Sequence, residues 1–180
     1  MSVNTTCQLL NVGHDDAIAI QAPGRPPLNY SSIRALSKRT RQALTQAGIA
    51  KSDRVAIVLP NGPEMATAFV TISGASTTAP LNPAYRQEEF EFYLVDLKAK
   101  ALVVEADSAS PAVAAAQKLG IPLITLVTDS SRAAGDFDLI FDSATPRAPT
   151  ANDEVNEDDV ALILHTSGTT SRPKIVPLNH

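Results

Sequence analysis

Apolar runs of strand length return along this chain, separated by segments whose apolar residues fall at helical spacing. That alternation limits the folds open to it more than any other feature. Arg54 to Leu59 reads R-V-A-I-V-L and stops at Pro60-Asn61-Gly62-Pro63; Ala101-Leu102-Val103-Val104, Pro122 to Val127 and Val160 to His165 are of the same kind. Runs this continuous suit strands covered on both faces, as in a parallel sheet with helices above and below. Between them, Ile33, Leu36, Ala43, Leu44 and Ala47 recur at helical intervals, with Ser31 or Ser32 as cap and Gly48 where a left-handed terminus belongs. Glu64 to Ser73, Gln87 to Lys98 and Ser110 to Leu119 are read as further helices, the second with Phe90, Leu94 and Leu97 on one face. Thr78 to Leu81 is read as another strand. The expected class is α/β, with alternating strands and helices forming a mostly parallel sheet.

The periphery reads differently. Ala17-Ile18-Ala19-Ile20 and Leu28-Asn29-Tyr30, split by Pro23-Gly24 and Pro26-Pro27, suggest two short strands about a turn. Residues 128–159 carry Ser130-Ser131, Gly135, Pro146, Pro149 and the acids Asp153, Glu154, Glu157, Asp158 and Asp159. They are expected to form an exposed loop or linker within a single unit of 180 residues, with the acids solvated.

The formal net charge of -4 and a pI near 5.3 give no basic field for nucleic acid or anionic lipid. Arg34, Lys38 and Arg41 fall at helical spacing and read as a solvated face. Cys7, the single cysteine, excludes an internal disulfide and points to a reducing compartment, with no sign that it acts as a nucleophile. No apolar run reaches the roughly 18 residues a membrane-spanning helix needs, and no leader pattern opens the sequence. A soluble intracellular protein is expected.

The candidate site lies after the last long apolar run, where Thr166-Ser167-Gly168-Thr169-Thr170-Ser171-Arg172-Pro173-Lys174 crowds hydroxyls around one glycine. A segment leaving a parallel strand at its carboxyl end enters the region where open α/β sheets bind ligands. The hydroxyls of Thr166, Ser167, Thr169, Thr170 and Ser171 can donate to phosphate oxygens, the Gly168 amide can approach an anion closely, and Lys174 adds a mobile positive charge. Pro173 stiffens the exit, and Ile175-Val176 re-enters a strand, so the loop is held at both ends. The motif G-x-x-x-x-G-K followed by Ser or Thr is absent: Pro173 stands at its glycine and Ile175 at its Mg²⁺-holding hydroxyl, which removes motif support for a kinase or GTPase.

Residues 166–176 resemble the phosphate-binding signature of the AMP-forming adenylating enzymes, the acyl-CoA synthetases, luciferases and peptide-synthetase adenylation domains, which reads S/T-S-G-S/T-T-G-x-P-K-G-V. The likeness continues upstream: Leu28-Asn29-Tyr30 resembles the entry "LTYxEL", Gly48-Ile49 to Pro60-Asn61 resembles "G-V-x-x-G-D-x-V-A-I-x-L-x-N", and Gly74-Ala75 through Pro80-Leu81-Asn82-Pro83-Ala84-Tyr85 resembles "G-A-x-x-x-P-L-N-P-x-Y". Ser171 and Ile175 depart from it, standing where most members have glycine. The wording H-T-S-G-T-T-S-x-P-K is most similar to the branch containing oxalate–CoA ligases of plants and fungi.

The resemblance implies the large N-terminal domain of an adenylating enzyme and two-step chemistry. A carboxylate attacks the α-phosphate of Mg²⁺-ATP, pyrophosphate leaves, and coenzyme A takes the acyl group. It implies that Thr166, Ser167, Gly168, Thr169, Thr170 and Ser171 hold phosphates and that Lys174 offsets charge on departing pyrophosphate. His165 ends the strand; His180 either adjoins the acyl site or opens a helix. The family's Y-G-x-T-E and T-G-D segments, its hinge and its C-terminal lysine are not found, so residues 1–180 are expected to be the N-terminal portion of the enzyme and inactive alone. A peptide-synthetase adenylation domain and a binding fragment without catalysis stay open. The setting is cytoplasmic, or peroxisomal if a C-terminal signal lies beyond residue 180.

Overall fold

The computed structural model describes residues 3–142, 149, 154–166 and 173–180. The chain enters through one helical turn, α1 (Thr6–Leu9), capped by the Thr5 hydroxyl, which accepts from Gln8 N. β1 (Ile18–Ile20) and β2 (Leu28–Asn29) pair antiparallel as a small separate ribbon. α2 (Tyr30–Gln46) follows without a break, because Asn29 ends the ribbon and caps the helix, its Oδ1 accepting from Ser32 N at 2.9 Å. The cap therefore falls earlier than Ser31 or Ser32; both serines lie inside the first turn. Gly48 takes the left-handed conformation expected of it, φ +75°.

Strands and helices then alternate: β3 (Arg54–Val58), α3 (Pro63–Ser73), β4 (Thr77–Pro80), α4 (Gln87–Leu97), β5 (Ala101–Glu105), α5 (Pro111–Leu119) and β6 (Leu123–Val127). β7 (Asp138–Phe141), β8 (Val160–Thr166) and β9 (Lys174–Asn179) complete a seven-stranded sheet in the order β7-β6-β5-β3-β4-β8-β9. The β3–β4, β3–β5, β5–β6 and β4–β8 pairs are parallel, and antiparallel β7 and β9 form the two edges. The expected mostly parallel α/β sheet is what the chain forms.

Alternation along the strands builds two cores. Val55 and Ile57 meet Leu36 and Leu44 of α2 and Ala68 and Ile72 of α3 on one face. Ala56 and Val58 meet Phe90, Leu94 and Leu97 of α4 and Ala112, Ala115 and Ala116 of α5 on the other. Burial on both faces is why β3 and β5 read as unbroken apolar runs.

Residues 128–159 are not a uniform exposed loop. The Asp138-Leu139-Ile140-Phe141 stretch pairs with β6, turning Leu139 and Phe141 inward and Asp138 and Ile140 out, and Ala134 and Phe137 are buried. An edge strand needs one neighbour and one covered face, so the Pro- and Gly-rich text around it concealed it. Arg25 fastens this segment, donating to the carbonyls of Arg132 and Ala133 and pairing with Glu64, whose carboxylate also accepts from Gly135 N. Of the acids expected to solvate, Glu154 pairs with Arg41 and Asp159 with Lys51, while Asp153 lies outside the described residues. Arg34 likewise is no free surface group; it donates to the carbonyls of Leu10 and Gly13.

Gly135 sits at φ +83°, and a Cβ there would lie 2.7 Å from Thr67 Cγ2 and 3.0 Å from Pro63 O. Gly135→Ala is expected to lower stability by about 1–3 kcal/mol from backbone strain, with the clash in addition. The denaturant midpoint of the complete protein reads this, and an unshifted midpoint would mean that the turn moves freely away from α3.

Candidate phosphate-binding site at the carboxyl end of β8

β8 enters the sheet beside β4, where the hydroxyls of Thr77 and Thr78 donate to the carbonyls of Val160 and Ala161 at 2.8 and 2.7 Å. It runs parallel to β4, and so delivers Thr166 to the carboxyl edge of the sheet, level with the exits of the other parallel strands. β9 folds back along it, with partners from Val160↔Asn179 to Thr166↔Lys174. Thr166 and Lys174 are therefore the last rung of a hairpin, opposite one another on one side, with Cβ atoms about 4.5–5.5 Å apart in such pairs.

Both are exposed. Among the described residues no carboxylate forms an ion pair with Lys174. Its charge is available to an anion. Ser167, Gly168, Thr169, Thr170 and Ser171 lie outside the described residues. The structure thus places the two ends of the predicted cradle and brings its terminal hydroxyl and its cation together.

Beneath this rung lies a cluster that the sequence did not announce. The His165 side chain is 5% exposed, with Nε2 3.1 Å from Asp96 Oδ2 on α4. Its ring meets Tyr93 edge-on at 4.6 Å between centroids, and Tyr93 stacks on Tyr85 at 4.8 Å. Burial, with a contribution from the Tyr85 hydroxyl, pushes the Tyr93 phenol up to about 12, so it stays neutral at any physiological pH. The one available signal was Asp96 itself, an acid in the last turn of a helix, where the exposed carbonyls favour a cation.

His180 lies at the other end of the β8–β9 hairpin from the Thr166–Lys174 rung. It follows the far end of β9, its backbone N donating to Asp159 O, and Nδ1 accepts from Thr6 N at 3.2 Å. Burial pulls this imidazole below its ordinary pKa. Cys7 is half-buried, its Sγ 3.5 Å from Ser37 Oγ and packed against Gly74, away from the hairpin end. Among the described residues no group of three or more His, Cys, Asp or Glu could hold a metal ion.

A mostly parallel sheet, the Thr166–Lys174 rung at its carboxyl edge and the hydroxyl-rich sequence between those two residues make this end of the hairpin a candidate nucleotide-phosphate site. Residues 10–180 match the family described as AMP-binding enzyme, and the chain belongs to it. Over 171 residues it is 41% identical to the oxalate–CoA ligase of Arabidopsis thaliana, covering 91% of this chain and 32% of that protein. It is 36% identical over 151 residues to the oxalate–CoA ligase of Saccharomyces cerevisiae, covering 72% of this chain and 28% of that protein. Apo MatB from Rhodopseudomonas palustris has the same fold, with a TM-score of 0.72 at 26% identity over 99% of this chain and 35% of its own. The chain spans about a third of the length of the curated relatives it matches.

Proposed function

We infer that the complete protein is an acid–CoA ligase. It activates a carboxylic acid with ATP, releasing pyrophosphate, and passes the acyl group from the adenylate to coenzyme A. The observation that carries this reading is the Thr166–Lys174 rung at the carboxyl edge of the sheet, in a chain of the AMP-binding family. In this reading Thr166, Ser167, Gly168, Thr169, Thr170 and Ser171 donate to the phosphates of ATP, and Lys174 offsets charge gathering on pyrophosphate as it leaves. Transfers of this kind depend on alignment and charge stabilisation more than on covalent help. Mg²⁺ enters with ATP.

Oxalate is the acid we assign, supported by the two oxalate–CoA ligases among the relatives. Among the described residues no helix is long and apolar enough to cross a membrane. The proposed setting is the cytoplasm, or the peroxisome if a targeting signal follows residue 180.

Release of AMP by the complete protein with oxalate, coumarate or octanoate tests both levels. Oxalate is expected to be fastest. A reversed ranking removes oxalate and keeps the ligase; no AMP with any acid, with CoA present, removes the ligase. Residues 1–180 alone are expected to release no AMP, since about two thirds of the relatives' length lies outside them.

A further inference from the structure

Along β8, Ala161, Ile163 and His165 share one face, since side chains alternate in a strand. Ala161 and Ile163 are buried, and Ile163 packs in the core that α4 covers. An apolar residue at 165 would complete this row by packing alone. The imidazole instead brings a polar atom under the helix, and such an atom costs stability unless it finds a partner. Asp96 is that partner.

Asp96 in turn is poorly explained by its own helix. It lies in the last turn of α4, facing the negative end of the helix dipole, and no basic residue occupies that turn. Its carboxylate is 39% exposed, so it keeps part of its hydration while reaching His165. The Tyr93 ring closes the other side of the imidazole, backed by Tyr85. Neither tyrosine supplies charge, so Asp96 is the one described carboxylate in contact with His165.

The register gives this contact its importance. His165 pairs with Ile175, and the next rung is Thr166↔Lys174. The clamped residue is thus one position before the chain leaves β8 and opposite the residue that follows Lys174.

We propose that His165 is a positioning residue: held by Asp96 and Tyr93 of α4, it fixes the end of the β8–β9 hairpin, so that Thr166 and Lys174 present hydroxyl and ammonium to nucleotide phosphates from a set place. This rests on the phosphate-site reading above. His165 faces the opposite side of the sheet from Thr166 and acts through the backbone, without touching nucleotide. A pre-set hairpin end spares ATP the ordering that binding would otherwise require.

The test uses the complete protein with Asp96→Ala and Asp96→Asn, the second keeping an acceptor oxygen for the imidazole. Without nucleotide, loss of the contact is expected to raise amide hydrogen exchange across residues 164–166 and 174–176 by about tenfold in Asp96→Ala, leaving β3 unchanged. Asp96→Asn is expected to return exchange most of the way to wild type. In acid-dependent ATP–pyrophosphate exchange, kcat/KM for ATP falls about tenfold to a hundredfold in Asp96→Ala, with KM for the acid unmoved, and recovers in Asp96→Asn. Wild-type protection at the hairpin end in Asp96→Ala overturns the proposal, and so does a loss spread through the whole sheet or an Asn variant no better than Ala. Should the wild-type protein catalyse no exchange with any acid, the ligase reading falls, and hydrogen exchange still decides whether Asp96 and His165 hold the hairpin.

Discussion

Lys174→Ala in the complete protein is expected to slow acid-dependent pyrophosphate exchange by about 10²- to 10³-fold, the usual loss when one pre-placed charge-stabilising group is removed. The expectation follows from position. Lys174 opens β9 directly across from Thr166, at the sheet edge where the hydroxyl-rich connection begins and ends. Its side chain is exposed, and no described carboxylate holds it, so the ammonium can swing on its four-carbon stem towards an arriving anion. The same exposure means that truncation removes little packing: the unfolding midpoint should stay within about 0.5 kcal/mol of wild type, as for surface changes generally. Lys174→Arg retains the charge in a planar, bulkier form and should recover only part of the rate. Unchanged exchange in Lys174→Ala would remove the role given to this residue; a slowed rate accompanied by unfolding would make it structural.

The second large effect is on stability. Phe90→Ala should cost about 3–5 kcal/mol, the range for deleting a buried aromatic ring. Phe90 is fully buried between α4 and the sheet, in the core shared with Leu94, Leu97, Leu102 and Val104, and Tyr85 meets it edge-on at 5.7 Å. Against the roughly 5–15 kcal/mol that keeps most domains folded, this is a large share. A denaturant titration of the complete protein measures it. A cost below about 1 kcal/mol would show that α4 sinks to fill the space, contrary to the close packing expected of interiors. Because α4 also carries Tyr93 and Asp96, the variant should lose protection at the β8–β9 hairpin end as well.

The central strands were legible because parallel strands buried on both faces leave almost no polar interruption. Arg54–Val58, Ala101–Glu105 and Leu123–Val127 all fall within a residue or so of their apolar runs. The helices were nearly as clear, and Phe90, Leu94 and Leu97 face the core as their spacing required. What escaped lies where local pattern carries least information. β7 buries one face of four residues, and its signal drowned in the surrounding Pro, Gly and Ser. The Asn29 cap was hidden because one residue serves two elements. For the site, the sequence pointed to Thr166 and Lys174 through chemistry alone, but not to their being opposite one another, since that depends on β9 turning back. Contact between Asp96 and His165, 69 positions apart, had no local signature beyond one acid at the wrong end of a helix.

The order of strands in the sheet also sets a timetable. Thr78 reaches Ala161 across 83 positions, and the hydroxyl of Thr77 reaches Val160 at a similar remove. Contacts this distant form slowly, because the intervening chain must be gathered first. During synthesis β3, β5 and β6 can assemble on one side of β4 while its other side still waits for a neighbour. An emerging polypeptide would therefore carry an unfilled strand edge, open to stray pairing, until the β8–β9 hairpin arrives to close it. The segment proposed to hold the nucleotide is also the one that shields the nascent sheet.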